Sequence, residues 1–127
     1  MSRILIVMSA ADTWERTDGS AYPTGYWAEE AAAPHEEFVR AGHTVDFASP
    51  GGVLQPLDRH SADPEVASEN CAHHVAHAER ALRESGPLRK LAEIDIEQYN
   101  VRDGNLFTGQ NPASSGSMAV DMIAALG

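Results

Sequence analysis

Arg3-Ile4-Leu5-Ile6-Val7-Met8 is a short, unbroken apolar run rich in β-branched residues. A run of this kind, with no alternation, reads as a strand buried on both faces, as parallel sheets use. The segments after it set the fold. Ala11 to Tyr22 is polar and contains Gly, and reads as a loop. Pro23-Thr24-Gly25 then leads into a helix predicted over Tyr26 to Ala41, and Gly42 stands where a helix-ending glycine belongs. Thr44-Val45-Asp46-Phe47-Ala48 reads as a second strand, closed by Pro50-Gly51-Gly52. Strand, helix and strand with short connections predict a right-handed crossover and an α/β sheet.

The rest of the chain is less regular. Val53 to Pro64 reads as a loop, and Glu65 to Glu84 as a polar helix ending at Ser85-Gly86-Pro87. Leu88 to Asn100 carries only a weak pattern, Ile94-Asp95-Ile96-Glu97-Gln98-Tyr99. Asp103-Gly104 signals a turn, and Leu106-Phe107-Thr108-Gly109 a short strand. Asn111 and Pro112 suit the N-cap and first position of a last helix, whose apolar face is Met118, Met122, Ile123 and Leu126. This gives about three strands where an open sheet usually has roughly five. The sheet reads as short of its centre.

The 127 residues suit one domain, and 43% hydrophobic content allows a buried core. Nine Lys and Arg against 19 Asp and Glu give a net charge of −10. That excess argues against nucleic acid or an anionic membrane as the natural partner. No apolar run approaches the roughly 20 residues that span a bilayer. The first residues lack the features of a signal peptide, and the single Cys71 can form no internal disulfide. These features predict a cytoplasmic protein.

On a wheel of about 100° per residue, Trp27, Ala31, Pro34 and Phe38 form one stripe of the first helix. Glu29, Ala33, Glu36 and Arg40 point away from it, while Glu30 lies on its shoulder, about 60° from the centre. Burial would raise the pKa of Glu30 and suit it to acid–base chemistry. The helix N-terminus would lower it. Spacing leaves the two open, together with a plain role in stabilising the helix end. Pro34, inside the helix, predicts a kink.

Three stretches together resemble the ThiJ/PfpI family of the class I glutamine amidotransferase-like superfamily, and within it the heat-shock chaperone/glyoxalase III-like branch. They are Ile4-Leu5-Ile6-Val7, the segment Pro23-Thr24-Gly25-Tyr26-Trp27-Ala28-Glu29-Glu30 running on to Pro34-His35, and Gly42-His43-Thr44-Val45-Asp46-Phe47-Ala48-Ser49-Pro50-Gly51-Gly52. Asp103 to Ser115 resembles the branch's last strand and helix start. Residues 1–100 are similar to the family's N-terminal part and 101–127 to its end, within a single domain. The resemblance implies a flavodoxin-like three-layer α/β sandwich with a mostly parallel sheet. It implies a homodimer that converts small reactive carbonyls such as methylglyoxal to lactate with no cofactor; a branch of the family carries a metal near its active site, but those ligands do not map onto this sequence and no metal ligand is assigned. Chaperone-type activity and protein deglycation are also attributed to the branch. Glu30, five residues after Gly25, takes the position of the glutamate that pairs with the family's catalytic cysteine.

The family's nucleophile elbow, Ala-x-Cys-His-Gly at the end of a strand, is missing, as is its Gly-Gly-His-Gly-like loop. By this comparison a central block of about a hundred residues is absent, more than half a typical domain. The join falls near Asn100 and Val101. Both a natural short form and a sequence lacking its centre fit this pattern. Cys71 has His74 at i+3 but no strand or glycine beside it, and reads as an inert, half-buried or solvent-facing thiol. His73 and His77 have the i, i+4 spacing of metal ligands, with His74 between them; a solvated polar face is the plainer reading. The expectation is an inactive chain carrying half of a catalytic pair. The alternative is a non-catalytic dimerising or chaperone-like remnant.

Overall fold

The computed structural model describes residues 1–95 and 115–126. Strand β1 spans Arg3–Val7. Strands β2 (Thr13–Glu15) and β3 (Ala21–Pro23) form an antiparallel ribbon where the sequence reading placed a loop. The ribbon turns on Gly19 at φ 82° and on Asp18, whose carboxylate accepts from the Ser20 amide at 2.9 Å. Its strands are three residues long and mostly exposed, so no apolar alternation marks them.

Helix α1 spans Ala28–Arg40 and runs through Pro34 without interruption. It ends as Gly42 predicts. Gly42 N donates to Val39 O and His43 N to Phe38 O, both at 3.0 Å, with Gly42 at φ 86°. This is the Schellman arrangement, which glycine adopts without a Cβ penalty. Strand β4 (Thr44–Ser49) then runs parallel to β1, with Ile6 opposite Phe47. Helix α2 spans Cys71–Ser85, starting later than the predicted Glu65 because residues 65–70 turn instead. Strand β5 (Arg89–Lys90) pairs in parallel with Ala48 and Ser49 of β4. The third strand of this sheet is thus β5; the predicted strand at Leu106–Gly109 and the cap at Asn111-Pro112 lie outside the described residues.

Alternation within β1 and β4 puts Ile6 and Phe47 on one face of the sheet. Helices α1 and α2 cover that face, and the core is Met8, Ala31, Ala32, Phe47, Ala78, Ala81 and Leu82. Small residues at the helix contact let the two backbones approach, while the burial of Phe47 contributes about 2 kcal/mol. Helix α3 (Ser115–Leu126) packs on α1 where Gly116 faces Ala33. Its predicted apolar residues Met118, Met122, Ile123 and Leu126 are half-buried around a fully buried Ala119. The opposite sheet face carries Asp46, paired with Arg3 at 3.0 Å and with Arg89 at 4.0 Å. The result is a shortened flavodoxin-like α/β fold with a parallel sheet. Among the described residues, no helix is long and apolar enough to cross a membrane.

Candidate functional site

A cavity of about 340 Å³ opens where β1 ends and α1 begins. Open α/β sheets bind ligands in this place, outside the carboxyl ends of the strands. The floor is Ile6, Met8 and Ser9, continuing from β1. Trp27, Glu30 and Ala31 project from the first turn of α1, and Gln55 and Asp58 close the side.

The wall is held by a close backbone approach. Tyr26 N donates to Pro56 O at 3.0 Å, and Asp58 N donates to Tyr26 O at 2.9 Å. A Cβ on the neighbouring Gly25 would stand 2.0 Å from Pro56 O and 2.9 Å from Asp58 N. Only glycine fits there. Thr24 Oγ1 donates to Asp58 Oδ2 at 3.4 Å, and His60 N to Asp58 Oδ1 at 2.9 Å. These bonds tie the strand-to-helix loop to the Gln55–Asp58 segment.

Glu30 lines the cavity, as its wheel position implied, but the accessibility of the two glutamates is reversed. Glu30 is exposed and Glu29 half-buried. The cavity into which Glu30 reaches is open to solvent. Glu29 lies one turn from Ala33, on the flank that α3 covers, so this flank is not the solvent face that the wheel assigned. Burial of its carboxyl, with the like charge of Glu29 second, still pushes the pKa of Glu30 above the ordinary carboxylate value.

Two of the lining residues carry a buried polar atom that has no partner. Gln55 is only 5% exposed, and its Nε2 donates to Ala11 O at 2.6 Å. Its Oε1 is buried with no partner, and so is Trp27 Nε1. Gln55 and Tyr26 also border a second cavity of about 440 Å³, lined by Leu54, Leu57, Leu82 and Arg83. Gln55, Asp58, Thr24 and Trp27 were not legible as site residues. Their sequence signal was Gly25, whose backbone contact brings the two loops together.

Cys71 is buried at the start of α2, where Sγ donates to Ala62 O at 3.5 Å, and it does not line the Glu30 cavity. The half-buried or exposed thiol of the sequence reading is corrected to a buried one, because the preceding turns fold over it. The histidines separate. His73 Nε2 lies 3.1 Å from Glu36 Oε2, while His77 Nε2 lies 2.9 Å from His35 Nδ1 across the α1–α2 contact. His74 Nδ1 is buried without a partner. His77 is therefore an interface residue and not part of a solvated face. His35, one turn beyond Ala31, belongs to the buried side of α1. Among the described residues, no group of three or more His, Cys, Asp or Glu is placed to hold a metal.

The parallel β–α–β unit, with the solved structures similar to it, gives the chain an α/β fold of ThiJ/PfpI-like type. No protein-family model and no curated protein matches the chain. Solved structures do. Rapid Encystment Protein 24 kDa from Francisella tularensis is similar with a TM-score of 0.56 and 20% identity, over 78% of this chain and 41% of that one. Glyoxalase III from Candida albicans is similar with a TM-score of 0.54 and 17% identity, over 99% of this chain and 54% of that one. The chain spans about half the length of these structures. At such identities the likeness is one of fold.

Proposed function

We propose that this chain carries the acid–base half of a glyoxalase III-like site for small carbonyl compounds, and that alone it binds such compounds without converting methylglyoxal to lactate. The observation that carries this reading is Glu30, in the first turn of α1, facing a small-molecule-sized cavity with its pKa raised by burial. A carboxyl with a raised pKa can hold a proton on a bound carbonyl oxygen, or take one from the adjacent carbon, closer to neutral pH than an ordinary glutamate. Covalent attack needs a nucleophile as well. The one cysteine is buried on α2 and outside the lining. A cytoplasmic setting fits that unpaired thiol.

The test is a lactate assay on the purified chain, with binding of methylglyoxal followed by amide NMR. The expected result is shifts at Trp27 and Glu30 with lactate at the buffer background. Lactate formation that disappears in Glu30→Gln would overturn the non-converting reading, and an absence of shifts would overturn the site.

Self-association is a second reading, favoured by the position of β1. Strand β1 ends in Val7, an apolar residue that is 53% exposed. An exposed apolar side chain at a strand end offers a contact to a second copy.

A further inference from the structure

We propose that the second cavity, lined by α2 and residues 54–57, is a site for a small aliphatic amino acid in its zwitterionic form, its carboxylate on Arg83, its ammonium on Glu79 and its side chain against Leu57 and Leu82. This cavity of about 440 Å³ shares only Tyr26 and Gln55 with the one beside Glu30, and its size suits one small molecule. Its lining has two parts. Leu54, Leu57 and Leu82 are apolar, with Leu82 buried and Leu54 at the exposed rim. Glu79 and Arg83 are the charged residues of the described lining, and both are exposed and reachable by a ligand.

Spaced i, i+4 on α2, these two stand on one face of the helix, in the order that favours pairing with each other. Among the described residues neither side chain has an ion-pair or hydrogen-bond partner. Other charges of these helices are engaged: Arg80 meets His77, and Arg40 meets Glu36 and Glu37. Tyr26 links the charged and apolar parts. Burial first, and the charge of Glu79 second, raise the pKa of its phenol, so the Glu79 carboxylate lies within electrostatic reach of it. The phenol therefore keeps its proton at neutral pH and offers a further donor. One cation, one anion and an apolar wall match the three parts of an aliphatic amino acid. A ligand with a single charge leaves the opposite charge of the lining unmatched. A polar side chain would lose water against leucines without gaining a partner.

The experiment titrates the full chain with leucine, N-acetylleucine, leucine amide and glycine, following the amide signals of Leu82 and Gly86 by NMR. Leucine is expected to move these signals and to bind about fivefold more tightly than N-acetylleucine, which lacks the ammonium, or leucine amide, which lacks the carboxylate. It should bind about tenfold more tightly than glycine, which has no side chain to bury. In Arg83→Gln the advantage over leucine amide should vanish, and in Glu79→Gln the advantage over N-acetylleucine. Both positions are exposed, so neither change should alter the melt. Either capped form binding as well as leucine overturns the two-charge site, and so does a preference unchanged in both variants. No response at Leu82, or a response at Glu30 in its place, overturns the site altogether. None of these outcomes bears on methylglyoxal at Glu30, so failure here is distinct from failure of the carbonyl-site reading.

Discussion

Gly25 and Glu30 show how single positions shape the site. A methyl group on Gly25 has nowhere to go, since the atoms it would meet are the backbone of Pro56 and Asp58. Gly25→Ala is expected to cost about 3 kcal/mol, lowering the melting temperature by roughly 10 °C. A melt unchanged within error would show that the two loops are not locked together. Glu30 makes a smaller, signed prediction. Its folded pKa is raised, so between the ordinary glutamate value and the folded value the native state binds more protons than the unfolded chain. Its contribution is most favourable below the unfolded pKa and is lost as pH rises through the folded pKa. Glu30→Gln should therefore raise the melting temperature at pH 7 by roughly 1–2 °C, the exposed position keeping the effect small, and should leave it unchanged well below the ordinary glutamate pKa. The same gain at both pH values would point to a cause other than titration. These two residues also mark what the sequence revealed of the site. Helix spacing set Glu30 beside the apolar stripe but gave the exposure of Glu29 and Glu30 in reverse, because a single helix's period does not show that α3 covers one flank. Gln55 and Asp58 were not legible, because they lie in an irregular segment whose position depends on a contact between distant backbones.

Helices α1 and α2 meet through a chain of three side chains whose proton positions follow from chemistry. Arg80 Nη2 lies 3.2 Å from His77 Nδ1, and arginine only donates. His77 Nδ1 is thus the acceptor and its proton sits on Nε2, which donates to His35 Nδ1 at 2.9 Å. A proton added to His77 Nδ1 would confront Arg80, and one added to His35 Nδ1 would confront the His77 N–H. Burial is the first cause lowering the pKa of both histidines. For His35 the neighbouring His77 comes next; for His77, Arg80 adds to the lowering while Glu36 opposes it. Glu84 and Glu36 oppose the shift at His35, and His73 and His74 add to it at His77. Both folded pKa values lie below the ordinary 6.5, so the stabilising contribution is present above that value and is lost as pH falls through the folded values. Melts of the native chain should fall between pH 7.5 and roughly 5, where the contribution is lost, by several degrees more than those of His77→Gln. Parallel pH curves for the two proteins would rule the chain out as an acid-sensitive joint. At this scale β1, α1 and β4 were readable, since apolar runs and a Gly42 stop are strong local signals. The β2–β3 ribbon and β5 were not. Strands of two or three residues carry too little pattern, and the partner that makes Arg89–Lys90 a strand is β4, 41 residues earlier.

Across the whole molecule, an exposed apolar residue at the end of β1 that invites contact is opposed by a net charge of −10. The two effects respond differently to salt. The burial of Val7 is short-range and little changed by moderate ionic strength. Repulsion between two acidic copies acts over a screening length of about 30 Å at 0.01 M salt and about 8 Å at 0.15 M. If copies associate through the end of β1, the dimer fraction measured by light scattering should therefore rise as salt is added over that range. Ion-paired interfaces behave the other way and weaken. Val7→Lys tests the location, because it places a cation on the exposed end of β1 and removes the apolar contact. That change also lowers the repulsion, so a loss of the dimer despite the added positive charge would locate the contact at β1. A mass that stays at 13.6 kDa from low to moderate salt, at concentrations up to the solubility limit, would remove self-association as a property of this chain. The same measurement made with methylglyoxal present then separates the two readings of the molecule. The cavity adjoins the end of β1 through Val7 and Met8, so contact at that end and occupation of the cavity should influence each other. A ligand that binds equally well to monomer and dimer would show the site and the contact to be independent.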